Sequence, residues 1–89
     1  MTVDELAQMA GLSAFQFDHR IREVFHVSAS QLLLKFRLDH ATQRLRDTAQ
    51  PIVQVALECG YADQSSFTRQ FRRTLGLTPA EYRKRQQFA

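Results

Sequence analysis

The chain repeats itself at an offset of about 50 residues. Val3-Asp4-Glu5-Leu6-Ala7 and Gly11-Leu12 are answered by Ile52-Val53-Gln54-Val55-Ala56 and Gly60-Tyr61. One inserted residue later, Phe17 answers Phe67, Ile21 answers Phe71, and Arg22 answers Arg72. Val27-Ser28 then answers Leu77-Thr78, and Leu32 answers Tyr82. Two copies are too few for a solenoid, which needs about three units for stability. Two copies and a connector make a paired-module protein, and 89 residues leave no room for a further independent domain.

Each copy reads as helix, glycine turn, helix. Thr2-x-x-Glu5 has capping-box form and opens a helix over 3–10, with Leu6 and Ala10 on one face. Gly11 ends it, because glycine enters the left-handed region cheaply. Ser13-x-x-Gln16 opens a second helix over 14–25 with Phe17, Ile21 and Phe25 as its apolar stripe. In the second copy Pro51 suits a first turn, where a missing N–H costs nothing. Ile52, Val55 and Ala56 face inward, and Gly60 ends that helix. Asp63 caps the next, over 64–75, whose stripe is Phe67, Phe71 and Leu75. Between the copies, Ser28-x-x-Gln31 opens a helix over 28–47 carrying Leu34, Leu38, Ala41 and Leu45. Thr78-Pro79-Ala80-Glu81 starts a last helix over 79–87 that packs Tyr82 inward. No segment alternates with period two, so no strand is expected. The fold class is all-α: two helix-turn-helix modules (1–27 and 49–89) joined by a long central helix (28–48), a homeodomain-like pair.

Composition narrows the function. A hydrophobic content of 44% argues against disorder. One cysteine excludes an intrachain disulfide. No apolar run nears the ~18–20 residues of a membrane span. The first residues lack the basic-then-apolar order of a signal peptide. Residues 1–50 carry as many acids as bases, so the net +3 lies wholly in residues 51–89. Helix, tight turn and amphipathic helix is the arrangement whose second helix enters the DNA major groove. A connector of about twenty residues spans ~30 Å at ~1.5 Å per residue. One turn of B-DNA is ~34 Å, so one chain suffices to present two recognition helices to successive grooves.

The stretch Pro51-Ile-Val-Gln-Val-Ala-Leu-Glu-Cys-Gly-Tyr-Ala-Asp-Gln-Ser-Ser-Phe-Thr-Arg-Gln-Phe-Arg-Arg-Thr-Leu-Gly-Leu-Thr-Pro-Ala-Glu-Tyr-Arg83 resembles the signature of AraC/XylS-type bacterial transcription regulators. That signature runs I-A-x-x-x-G-[FY]-x-[DS]-x-S-x-F-x-R-x-F-[KR]-x-x-x-G-x-[ST]-P-x-x-[FY]-R, and Val55 stands at its isoleucine. Leu6-Ala7, Gly11-Leu12-Ser13 and Arg37-Leu38, Ala41, Leu45 fit upstream, so the resemblance covers essentially the whole chain. It implies the DNA-binding domain of such a regulator, a cytoplasmic, nucleoid-associated activator. The family's usual first helix would precede the one at 3–10, and this chain starts too late to hold it. Other departures fall in the first module: His19 at an arginine position, Arg20 at an apolar one, Ile21 at a phenylalanine and His26 at a glycine. Arg44 stands where leucine is usual.

By the resemblance, the base-reading positions are Phe15, Asp18 and His19 in the first recognition helix. In the second they are Gln64, Ser65, Ser66 and Arg69. The chemistry fits: Asp accepts from cytosine N4, Gln pairs with adenine, Arg and His with guanine, and Phe packs on a thymine methyl. The plainer alternative makes Asp18 and His19 solvated neighbours and Phe15 part of the core. Ser13, Arg22, Arg72 and Arg73 are the phosphate candidates, fixing register without reading sequence. Their alternative is an ordinary solvated helix face. Helix N-termini near Ser13 and Asp63 add backbone N–H groups to phosphate binding. Arg83, Lys84 and Arg85 are a solvated run favoured by the helix dipole.

The implied partners are double-stranded promoter DNA of roughly two turns, RNA polymerase, and a companion sensor domain outside this chain, with no membrane. No metal or cofactor is expected, since His19, His26 and His40 lack metal spacing with Cys59. Cys59 reads as a small interior residue with no histidine placed to activate it, and no catalytic constellation or glycine-rich phosphate loop is present. The competing reading is a helical protein-interaction module that has lost DNA binding. The neutral first half and the unusual His19 and Arg20 support it.

Overall fold

The computed structural model describes residues 2–87. Residues 1, 88 and 89 of the expected modules lie outside the described residues. Six helices follow in order: α1 (Val3–Met9), α2 (Ala14–Phe25), α3 (Ala29–Asp47), α4 (Ile52–Glu58), α5 (Gln64–Leu75) and α6 (Pro79–Gln87). No strand occurs among the described residues. The chain divides into two compact units, Met1–Phe36 and Arg37–Ala89, with the division falling inside α3.

Helix ends follow local chemistry. Thr2 Oγ1 accepts the Glu5 N–H at 3.2 Å. Ser13 and Gln16 close a reciprocal capping box, at 3.1 Å and 3.0 Å. Ser28 with Gln31 and Thr78 with Glu81 repeat it at the starts of α3 and α6. Both helix-turn-helix turns share one hydrogen bond: Leu12 N–H to Ala7 O at 2.9 Å, and Tyr61 N–H to Ala56 O at 3.0 Å. That is the closure expected where Gly11 and Gly60, both at positive φ, follow a helix end. Three boundaries shift slightly. Ala10 caps α1 instead of belonging to it, Ser28 caps α3, and Pro51 sits before the first turn of α4.

The turn after each recognition helix is left-handed in both copies, at His26 (φ 63°) and Gly76 (φ 83°). A side chain in that region crowds its own carbonyl, a cost of roughly 1–2 kcal/mol that glycine avoids. The first copy carries that strain, and the second does not.

The two units are packed unequally. In the first, α1 packs on α2, and only Ala7 and Ala29 are buried apolar side chains among the described residues. Val3, Leu6, Leu12, Phe17 and Ile21 are half-buried. In the second, α4 and α6 pack on α5, and Leu38, Ala41, Leu45, Val55, Ala56, Cys59, Phe67 and Phe71 are all buried. Its aromatic rings chain together at centroid distances of 5.2 Å (Tyr61–Phe67), 5.6 Å (Phe67–Phe71) and 5.9 Å (Phe71–Tyr82). The expected stripes are shorter than the period suggests: Phe25 is 52% exposed and Leu75 40%. Both occupy the last helical residue, beyond the reach of the packed partner. Burial pushes the Cys59 thiol pKa up, as fits an interior residue. No helix among the described residues is long and apolar enough to cross a membrane.

Candidate nucleic-acid interface

In the first unit, the turn at Gly11 (φ 71°) joins α1 to α2, which packs against it. Phe15, Asp18, His19 and Arg22 stand three or four residues apart, so they line one face of α2. Phe15 is 81% exposed and so lies outside the core. Its ring stacks nearly parallel to that of His19, with centroids 6.4 Å apart and an angle of 7° between the planes. His19 Nε2 is 2.9 Å from Glu23 Oε1. Asp18 is committed on both sides: Oδ2 accepts from Arg22 Nε at 2.7 Å, and Oδ1 accepts the Ala29 N–H at 2.7 Å. The Arg22 guanidinium first, and then the Ala29 N–H, hold the Asp18 carboxyl below its ordinary range. The Ser13 hydroxyl is taken by the Gln16 N–H.

In the second unit, Asp63 Oδ1 accepts the Ser66 N–H at 2.7 Å and fixes the start of α5. That N–H and the Ser66 hydroxyl lower the Asp63 pKa. Gln64, Ser65, Arg69, Arg72 and Arg73 are exposed, and Ser66 is half-buried. Arg69 Nη2 lies 3.4 Å from Ser66 Oγ, a weak tie that leaves the guanidinium on the surface. None of the three arginines has an acid within ion-pair distance among the described residues. The buried Phe67 and Phe71 anchor the opposite side of the helix. The Tyr61 hydroxyl donates to Gln70 Oε1, and the Arg37 guanidinium lies 5.7 Å from the Tyr61 ring centre. These contacts fix α5 against its own unit. Amide, hydroxyl and guanidinium groups on one exposed helical face are the donors and acceptors that base edges and phosphates require.

Two pairings were missed in reading the sequence, Asp18 with Arg22 and His19 with Glu23. Both have four-residue spacing, and that signal was available. No cluster of three metal-ligating side chains occurs among the described residues.

A tight turn between two helices, with the second exposing polar groups, defines a helix-turn-helix domain. A family described as "Helix-turn-helix domain" matches residues 6–85. The chain belongs to this family, in its AraC/XylS type. It is 34% identical over 85 residues to the regulatory protein SoxS of Salmonella typhimurium, covering 96% of this chain and 79% of that protein. It is 37% identical over 82 residues to the probable transcriptional regulator LumQ of Photobacterium leiognathi, covering 92% of this chain. The chain spans only 33% of LumQ's length. Its fold is similar to that of the DNA-binding domain of AdpA, solved in complex with a target DNA. The TM-score is 0.86 at 32% identity, covering 94% of this chain and 76% of that one. These likenesses favour DNA binding over a protein-interaction module.

Proposed function

We propose that the chain binds double-stranded DNA sequence-specifically, as the DNA-binding part of a bacterial transcription regulator. The recognition helices α2 and α5 enter successive major grooves. The observation that carries this reading is the exposed face of α5. There Gln64, Ser65 and three arginines with no acid inside ion-pair distance among the described residues follow the family's turn. Arg69 reads a base, and Arg72 and Arg73 hold phosphates. In the first module Phe15 and His19 present a pair of stacked rings to the groove, Asp18 stands beside them, and Arg22 and the start of α2 at Ser13 face the backbone. AdpA's complex with DNA supports the partner class.

The action is equilibrium binding with no catalytic step. Contact with RNA polymerase, activation of transcription, control by a companion sensor domain and work at the nucleoid in the cytoplasm complete the proposal. These come from the family resemblance. Fluorescence anisotropy against random duplexes, at low and moderate salt, tests it. Micromolar or tighter binding that weakens with salt is expected. No binding at micromolar protein in low salt overturns it.

A further inference from the structure

Both recognition helices carry an arginine at the same register of the repeat, Arg22 in α2 and Arg72 in α5. The residue one turn earlier differs: Asp18 in the first copy, Thr68 in the second. Arg22 Nε sits 2.7 Å from the Asp18 carboxylate. Arg72 has no acid within 4 Å among the described residues, and Glu81 acts on it only at longer range. The first pair is also held from behind. Asp18 cannot swing away without leaving the part-buried Ala29 N–H unpaired. The residue answering Ala29 in the second copy is Pro79, which has no N–H to satisfy. His19 Nε2 makes a second four-residue contact one position along α2, 2.9 Å from Glu23 Oε1.

We propose that Asp18 is a built-in competitor for DNA phosphate. It occupies Arg22 in the free protein, so the first module grips the DNA backbone only by exchanging that partner. Arg72 in the second module is available at once. Binding then starts at the second module, and the first engages where base contacts at Phe15 and His19 offset the exchange. This inference rests on the DNA-binding reading above.

A double-mutant cycle tests it, with affinity for one selected duplex measured for wild type, Asp18→Asn, Arg22→Gln and the double variant. Asparagine keeps Oδ1 as acceptor for the Ala29 N–H and removes the charge. Exposed ion pairs are weak, so Asp18→Asn is expected to tighten binding about two- to fivefold at low salt. The gain should disappear once Arg22→Gln is also present, and shrink as salt rises. An equal gain in both backgrounds means plain repulsion between Asp18 and DNA, and overturns the inference. So does no gain with Arg22 intact. Should circular dichroism show lost helix in Asp18→Asn, Asp18→Thr copies the second module and faces the same criteria. Wild-type protein that binds no duplex overturns both this and the DNA-binding reading.

Discussion

Asp18, in the middle of α2, accepts a 2.7 Å hydrogen bond from the backbone N–H of Ala29, the first residue of α3. The bond fixes the recognition helix of the first module to the helix that follows. The first unit buries few side chains, so this tie carries more of its stability than a surface contact normally does. Asp18→Ala is expected to lower Tm by on the order of 5 °C, with Asp18→Asn much nearer wild type. Thermal melts followed by circular dichroism decide it. Equal Tm values for all three proteins contradict the tie.

Acid should weaken the fold through three carboxylates. Asp18 is held low by Arg22 and the Ala29 N–H, Asp63 by the Ser66 N–H, and Glu81 by the Thr78 N–H. Each folded-state pKa lies below its unfolded value, so the folded state prefers the ionised form. That stabilisation is fully present above the unfolded values, about 3.9 for Asp and 4.3 for Glu. It is lost as pH falls through the folded values. Melts between pH 7 and 2.5 should show the loss below about pH 4, and less steeply in Asp63→Asn.

His26 occupies a left-handed position that Gly76 fills in the second copy. His26→Gly relieves about 1–2 kcal/mol of crowding and adds back part of that as unfolded-chain entropy. A net stabilisation of about 0.5–1 kcal/mol is expected in urea unfolding. Destabilisation would mean the His26 side chain makes a contact worth more than its strain.

Phe67 and Phe71 are fully buried in the ring chain of the second unit. Phe67→Ala is expected to cost about 3–5 kcal/mol, because the cavity it leaves can collapse only partly. In a domain this small that is much of the total stability. Loss of helical signal at 37 °C, with loss of DNA binding, is the expected result.

Arg69→Ala should cost about 1–3 kcal/mol on the preferred duplex and relax one base position. In vitro selection with the variant reads this directly. A uniform loss on all duplexes would move Arg69 to the phosphate contacts. Arg72→Ala should weaken all duplexes alike and lower the salt slope by about one.

Most of the fold was legible because helix ends are local. Ser13 with Gln16, Asp63 before α5, and glycines after α1 and α4 are written within four residues of each boundary. Phe25 and Leu75 were harder. A 3.6-residue period says which side of a helix faces inward, not how far its partner extends, and both stripes outrun that partner. Phe15 was open between core and groove until its exposure was known. The Asp18 tie was hidden for another reason. It joins residues eleven apart across a left-handed turn, where no helical period connects them.

The division of the chain inside α3 has a consequence for cutting it. Residues 48–51 are the stretch between α3 and α4 and look like the natural place for a protease. A nick there would detach Leu38, Ala41 and Leu45 from the helices of the unit to which they belong. Dissecting the protein at its visible loop therefore yields one fragment with surplus apolar helix and one stripped of an interior wall. The only cut that respects the packing runs through hydrogen-bonded backbone.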